Sequence, residues 1–451
     1  MKKRVIAAVT AAVTALACLG SCGKKEIGRD GKAAASQAET SAAESAAEVS
    51  VPDEAEEPAE KKFTGELKAP VADGKIDLSK GATENMLIRS LAYEGDSSRL
   101  AQKLKEAKEL AESKEYTAQE KYYYPTEVVF MGDSVTTGYN ASGDKKFASQ
   151  FQGWWENNIS FYAEWENAGL IATDSYVGVH RVDSDVLVHQ PDIIFIEFVN
   201  DADCEDDRCK EAMDSLLRKC MSDEGMPAVI LIETMREDGS SPQDMHMELA
   251  EAYGIPVISL RDAVMPEIDA GNITWEELFA DEVHPNDLCH GLIAQMLENY
   301  VSRVNETADS AAKPAKFTAE SPTGDKYKDA IISDSLTGAV WVSENNGFDE
   351  GGQLWYLQNG WGTVTGGDIT FVVTCKKLGM LYNMSTDGEG GTARIIVDNK
   401  VIADIDSDFS GGWGDHCESR ELFSNSKAEE HYVTVKVPKG KRFEVVRLLI
   451  D

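Results

Sequence analysis

Four short apolar runs, separated by amphipathic stretches, organise the middle of the chain. The runs cover residues 127–131, 192–199, 228–232 and 256–260, and helix-like stretches lie between them, for example at residues 209–219 and 242–253. A run that is apolar at nearly every position predicts a strand buried on both faces. Strands of this kind alternating with helices predict a parallel sheet covered by helices on both sides. A last helix is predicted from Pro285-Asn286 to about residue 304.

The pattern changes beyond a polar connector near residues 305–316. Short strand-like runs then follow one another at residues 340–342, 368–373, 392–397 and 431–437, with turn signals between them. Several short strands without intervening helices predict a β-sandwich of the jelly-roll type. We therefore expect an α/β domain at residues 63–308, beginning with a helical extension that includes an amphipathic helix over 98–114, and an accessory β domain at 316–451.

The N-terminal residues predict export and a lipid anchor. Three basic residues at positions 2–4 precede a short apolar stretch, which ends in Leu19-Gly20-Ser21-Cys22. This pattern is typical of a bacterial lipoprotein signal peptide over residues 1–22, in which Cys22 is acylated and becomes the new N-terminus. Residues 23–62 are rich in Ala, Ser and Glu and predict a disordered acidic linker. The expected location is the outer face of the bacterial membrane, and the alternative is an ordinary signal peptide with an incidental cysteine.

The charge balance limits the partners of this protein. The 451 residues include 44 basic and 79 acidic side chains, which gives a formal net charge of −35. Such a surface repels a phosphate backbone, so we expect no nucleic-acid partner. A neutral or basic substrate is compatible with this charge.

Six cysteines follow Cys22, and their pairing stays open at this stage. An exported protein is able to form disulfides. Cys204 and Cys209 are close enough in sequence to pair, and Cys375 and Cys417 lie in one predicted domain. Buried free thiols are equally compatible with the sequence. None of the spacings resembles a zinc site.

Two short motifs together supply the groups for nucleophilic catalysis. Ser134 follows the buried run 127–131 in Gly132-Asp133-Ser134, and the carboxyl ends of parallel strands are where ligands bind in open α/β sheets. Asp281 and His284 are separated by two residues, so the carboxylate is able to orient the imidazole. These residues predict a serine nucleophile, a general base and an orienting acid.

The two motifs in this order resemble the SGNH/GDSL hydrolases. The resemblance covers residues 127–304 and implies a flavodoxin-like, three-layer α/β/α domain that uses neither a cofactor nor a metal. It also implies an oxyanion hole formed by the N–H of Ser134, the N–H of Gly169 in Asn167-Ala168-Gly169, and the side-chain amide of Asn200. One position departs from the family pattern, because Phe198 stands where a glycine usually precedes the asparagine.

The resemblance implies ester hydrolysis, often the removal of acetyl groups from polysaccharides. An acylated carbohydrate is therefore the expected substrate, and residues Trp154, Trp155 and Arg181 are candidates for contacting it. Among the aromatic residues of the β domain, Trp361 and Trp413 are flanked by glycines and are expected to be exposed. The alternatives are a lipase or thioesterase, and a glycan-binding lipoprotein without activity.

Three further histidines are weaker candidates. His180 lies beside Arg181, where either substrate contact or a surface loop is compatible with the sequence, and His246 is expected on the surface of a helix. His290 lies inside the last predicted helix and lacks the Asp-x-x-His spacing. The acidic, glycine-rich run at residues 387–391 is interpreted as a turn between strands.

Overall fold

The computed structural model describes residues 65–204, 206–352 and 354–451. Its first sheet has six strands in the order β1-β6-β5-β4-β2-β3. All neighbouring pairs are parallel except β1 with β6. The strands are β1 (Leu91–Tyr93), β2 (Thr126–Gly132), β3 (Ala163–Gly169), β4 (Ile193–Glu197), β5 (Ala228–Glu233) and β6 (Val257–Ser259).

Both faces of this sheet are covered by helices. In β2, Val128 and Phe130 face one hydrophobic core, whereas Val129 and Met131 face the other. This alternation explains why the strand is apolar at nearly every position. The helices are α1 (Glu84–Ser90), α2 (Ser98–Glu112), α3 (Ala118–Lys121), α4 (Ser134–Thr137), α5 (Phe147–Asn158), α6 (Ser175–Asp185), α7 (Arg208–Ser222), α8 (Gln243–Tyr253), α9 (Leu260–Asp269), α10 (Trp275–Leu278) and α11 (Asp287–Thr307).

The C-terminal part is an all-antiparallel β domain. Its sheet runs β13-β12-β14-β11-β15-β10-β9, with β7 beside β15 and β8 beside β11. Register shifts interrupt β11 near Lys377, and residues on both sides of these shifts, such as Phe371 and Met380, contribute to one hydrophobic core. The strands are β7 (Ile331–Ser333), β8 (Trp341–Asn346), β9 (Asp349–Glu350), β10 (Trp361–Thr363), β11 (Gly367–Met384), β12 (Thr392–Val397), β13 (Lys400–Asp406), β14 (His416–Val437) and β15 (Phe443–Ile450).

The β domain and the α/β domain share a hydrophobic core. Leu381, Val446 and Leu449 of the β domain join the core that lies under α6 and α7. Tyr176 of α6 packs so closely on Gly379 of β11 that a Cβ at this glycine would lie 2.2 Å from the tyrosine Oη. All described residues accordingly belong to one compact unit, Pro58–Asp451.

The predicted fold class is confirmed, and several elements were missed or shortened. The edge strand β3, the helix α6 and the strands β13 and β15 were not predicted, and β11 and β14 are far longer than the predicted runs. The exact domain boundaries stay predictions. The signal peptide, Cys22 and the linker at residues 23–62 lie outside the described residues. In the described parts of the chain, no helix has both the length and the apolar character needed to cross a membrane.

The structure distinguishes the cysteine alternatives for the residues it describes. Cys204 and Cys209 form a disulfide, which closes the loop that leads into α7. Cys375 and Cys417 do not pair. They are buried free thiols, as are Cys220 and Cys289.

Candidate active site

Ser134 lies where β2 ends and α4 begins. The turn between them requires Gly132, because a Cβ there would lie 2.2 Å from the carbonyl oxygen of Glu197. Asp133 caps the helix by accepting the N–H of Val135 at 2.9 Å. Ser134 is therefore the first residue of a helix, where N–H groups have no partner within the helix itself.

Ser134, His284 and Asp281 form a continuous hydrogen-bonded chain. The Oγ of Ser134 lies 2.9 Å from Nε2 of His284, and Nδ1 of this ring lies 2.8 Å from Oδ2 of Asp281. The carboxylate selects the tautomer with a proton on Nδ1, which leaves Nε2 free to accept the serine proton. The structure thus brings the three predicted catalytic residues together in the order that nucleophilic catalysis requires.

A tight loop holds Asp281 in its ionised form. Its Oδ1 accepts the N–H of Val283 at 2.9 Å and that of His284 at 2.8 Å, and its Oδ2 accepts Nδ2 of Asn140 at 2.9 Å. Partial burial acts to raise the pKa of Asp281, but the donors from His284 and Val283 outweigh it, and the pKa is lowered. The indole N–H of Trp275 donates to the carbonyl oxygen of Asp281 at 2.9 Å, and this contact ties the loop to α10.

Asn200 presents its side chain to the cavity beside Ser134, as predicted. Its Nδ2 donates one hydrogen to the carbonyl oxygen of Thr173 at 3.1 Å, which leaves a second hydrogen for a ligand. Gly169 is placed differently from the prediction. Its N–H donates to Oδ1 of Asn167 at 3.0 Å, and the residue is not part of the cavity wall.

Ala172 lines the cavity and was missed from the sequence. Its φ of 57° lies in the left-handed region, which a non-glycine residue adopts rarely, and of the described non-glycine residues with positive φ it is the one that lines the cavity. Ala172 therefore replaces Gly169 as the candidate for the second backbone donor. The sequence signal is faint, because a left-handed position is usually occupied by glycine or asparagine.

The catalytic groups open onto a cavity of about 660 Å³. Its walls are apolar and aromatic, and Trp413 contributes to them from the β domain although 68% of its surface is exposed. Among the described lining residues Arg236 is the one Lys or Arg, so the mouth is acidic. The lining residues are Ser134, Tyr139, Ile171, Ala172, Asn200, Asp203, Arg236, Glu237, Trp275, Glu276, Phe279, Ala280, Asp281, Glu282, Val283, His284 and Trp413.

The three predicted substrate contacts lie elsewhere. Trp155 is completely buried in the core, and Trp154 is packed against the same core, stacked on Phe151. Their positions in α5 direct both rings toward the sheet. Arg181 is buried beneath the strand ends, where it donates to the carbonyl oxygens of Gly132 at 2.9 Å and Ala168 at 2.7 Å. It supports the turn that carries Ser134 and does not reach the cavity.

Two glycine-flanked tryptophans behave differently from each other. Trp361 was expected on the surface, but β10 places it in the core of the β domain with 2% of its surface exposed. Trp413 is exposed as predicted. Its ring stacks on His416 with the centroids 4.3 Å apart, and Phe409 contacts it edge to face.

The other predicted histidines are buried and outside the cavity. His180 is buried in α6, where its Nδ1 contacts the carbonyl oxygen of Tyr176. Burial lowers the pKa of His180 to about 3. His290 is buried in α11 against Phe147, whose N–H donates to its Nδ1 at 3.3 Å, and burial lowers its pKa to about 4. Neither residue competes with His284 for Ser134.

His246 was expected on the surface, and the structure buries it between two carboxylates. Its Nδ1 lies 2.9 Å from Oε1 of Glu233, and its Nε2 lies 3.0 Å from Oδ2 of Asp201. Burial acts to lower the pKa of His246, but the two carboxylates outweigh it and raise the pKa to about 10. The imidazolium joins the end of β5 to the loop that carries Asn200.

One group of described side chains has the proximity that a metal ion requires. It consists of Asp174, Cys204 and Cys209, whose ligand atoms lie within 4.8 Å of one another. Because the two sulfur atoms are joined in the disulfide, neither is available as a thiolate ligand. The group therefore serves the structure of the loop before α7.

Residues 130–292 match the GDSL-like Lipase/Acylhydrolase family, and they form an SGNH/GDSL hydrolase domain. No curated protein matches the chain.

Two solved structures extend the similarity to both domains. They are crystal structures of a two-domain esterase (CEX) active on acetylated mannans, one of them co-crystallised with mannopentaose. The co-crystal structure shares 26% sequence identity with this chain and superposes with a TM-score of 0.69, covering 80% of this chain and 97% of that one. The other shares 25% identity with the same TM-score and coverage.

The pKa of His246 predicts how stability changes with pH. An unfolded chain titrates His near 6.5, whereas the folded chain holds this proton up to a pH of about 10. The stabilisation by the imidazolium is therefore complete below about pH 6.5 and is lost as the pH rises toward 10. We expect His246→Gln to lower the free energy of urea unfolding at pH 6, and the difference from wild type to shrink steadily up to pH 10. A difference that is constant with pH would contradict the buried imidazolium.

Proposed function

We propose that this protein is a serine esterase that removes O-acetyl groups from a neutral polysaccharide of the mannan type. The observation that carries the proposal is the hydrogen-bonded chain from Asp281 through His284 to Ser134, which ends in a cavity beside Asn200. An orienting acid, a base, a nucleophile and an oxyanion donor are the groups that acyl transfer needs.

The reaction proceeds through an acetyl-enzyme. The Oγ of Ser134 attacks the acetyl carbonyl while Nε2 of His284 takes the serine proton. The oxyanion of the tetrahedral intermediate is stabilised by the side-chain amide of Asn200 and by the backbone N–H groups of Ser134 and Ala172. The intermediate then collapses, and His284 passes its proton to the sugar oxygen as the C–O bond breaks. Water, deprotonated by Nε2 of His284, then attacks the carbonyl carbon of acetyl-Ser134. The bond from Oγ to the acetyl carbon breaks, His284 returns the proton to Oγ, and acetate leaves.

Two features of the cavity support a neutral glycan as the substrate. Trp275, Phe279 and Trp413 provide apolar ring surfaces on which the apolar faces of pyranose rings are able to stack. Glu237 and Glu282 belong to an acidic mouth, which repels anionic substrates and also the acetate product. The similar two-domain esterase is active on acetylated mannans, which agrees with this choice.

The first test measures hydrolysis of p-nitrophenyl acetate by residues 62–451. Ser134→Ala removes the nucleophile and is expected to lower kcat by about 10³-fold or more, since the triad residues act as a unit. Ser426→Ala, which changes an exposed serine of β14, serves as the matched control and is expected to retain wild-type activity. An inactive wild type, or equal activity in Ser134→Ala, would overturn the esterase proposal.

A second test addresses the substrate through Trp413. Trp413→Ala is expected to raise KM for acetylated mannan by roughly 5- to 30-fold, the loss of about 1–2 kcal/mol of ring contact, and to leave p-nitrophenyl acetate hydrolysis unchanged. Trp355→Ala is the control, because this tryptophan is 74% exposed and does not line the cavity. Unchanged KM for the glycan, or a preference for long-chain esters, would favour the lipase alternative.

We also propose that Cys22 carries a lipid that holds the enzyme on the outer face of the cell membrane. The sequence Leu19-Gly20-Ser21-Cys22 supports this location. In cells of a bacterium that processes lipoproteins, Cys22→Ala is expected to move the protein from the detergent phase to the aqueous phase of a phase-separating detergent. Cys18→Ala is the matched control and should stay in the detergent phase. Equal partitioning of both variants would contradict the anchor.

A further inference from the structure

Asn200 and Arg236 follow neighbouring parallel strands. Asn200 lies just after β4 and Arg236 three residues after β5, so both reach the carboxyl edge of the sheet beside Ser134. The loop of Arg236 is also tied to the loop of His284, because the N–H of Glu237 donates to the carbonyl oxygen of Glu282 at 2.9 Å. Arg236 is therefore anchored relative to both sides of the site.

The guanidinium of Arg236 is held by Asp203 and contacts the carbonyl end of the Asn200 amide. One of its terminal nitrogens lies 3.1 Å from Oδ1 of Asn200 and 2.6 Å from Oδ2 of Asp203, and the other contacts Oδ1 of Asp203. The side chain of Arg236 is only 18% exposed. Both terminal nitrogens are thus engaged by these two residues, whereas the buried Nε has no hydrogen-bond partner among the described residues.

We propose that Arg236 is a positioning residue that fixes the amide of Asn200 for the oxyanion. The inference rests on the proposed esterase function. A guanidinium only donates hydrogen bonds, so it pairs with the carbonyl oxygen of the amide and not with its amino group. Because an asparagine amide has two broad, nearly equivalent rotational states, this contact and that of Nδ2 with Thr173 together select one of them. The selected state directs the second Nδ2 hydrogen toward the cavity.

The contact also strengthens the donor. A hydrogen bond to Oδ1 polarises the amide and increases the positive charge on its amino hydrogens, where the oxyanion binds. Asp203 neutralises the guanidinium, so Arg236 acts through Asn200 rather than as a free charge in the cavity. This arrangement distinguishes a positioning role from direct binding of sugar hydroxyls.

The test combines Arg236→Met with Asn200→Ala in a double-mutant cycle on p-nitrophenyl acetate and acetylated mannan. Asn200→Ala is expected to lower kcat by roughly 10²–10³-fold, the usual effect of losing one oxyanion donor. Arg236→Met is expected to lower kcat by roughly 10-fold on both esters, a part of that effect, with KM unchanged. The double variant should be no slower than Asn200→Ala alone, because Arg236 acts through the missing amide.

Two outcomes would overturn the positioning role. One is a raised KM for the glycan with unchanged kcat on the small ester, which would indicate sugar binding by Arg236. The other is a loss of kcat that multiplies with the loss caused by Asn200→Ala.

If Arg236→Met does not fold, Asp203→Asn provides a second variant. It loosens the guanidinium and should give a smaller loss of kcat that also disappears in the Asn200→Ala background. An inactive wild type would overturn the esterase function itself, whereas an active wild type with full activity in both variants would overturn this inference alone.

Discussion

The buried carboxylate of Asp133 connects the two halves of the site. It accepts the N–H of Val135 in the helix that begins with Ser134, at 2.9 Å, and the N–H of Asn200 after the neighbouring strand, at 3.1 Å. Burial raises the pKa of Asp133 to about 6, against the opposing effect of these two donors. Because a buried carboxylate requires such donors, Asp133 holds the turn of Ser134 and the backbone of Asn200 in a fixed relation to each other. The geometry of the reaction depends on this link.

Other contacts reinforce the same edge of the sheet from outside. Arg181 binds the carbonyl oxygens at the ends of β2 and β3 from behind, and Arg236 holds the Asn200 amide from the side of β5. The β domain then completes the cavity with Trp413, and the shared core around Tyr176 fixes its position. The accessory domain therefore lines the same cavity as the candidate catalytic residues, which gives a physical reason for joining the two domains in one chain.

The features that the sequence predicted correctly are those that depend on neighbouring residues in the chain. The apolar runs gave β2, β4, β5 and β6, and the two-residue spacing of Asp281 and His284 gave their contact. The edge strand β3 was missed because its exposed Glu164 and Glu166 read as a loop. Arg236 and Ala172 carry no local motif, since their roles arise from contacts across strands and from backbone conformation. The predicted cavity positions were wrong for Gly169, Trp155 and Arg181. The sequence shows which residues are present but not the direction in which a helix or strand points them.

The proposed function requires Ser134 to be the nucleophile that His284 activates. Diisopropyl fluorophosphate phosphorylates activated serines covalently. Treatment with this reagent, followed by peptide mapping by mass spectrometry, tests this role of Ser134. We expect a single adduct on the peptide that carries Ser134, and we expect the adduct to be lost in His284→Ala because the base is gone. An adduct on another serine, or no adduct in the wild-type protein, would show that Ser134 is not an activated nucleophile.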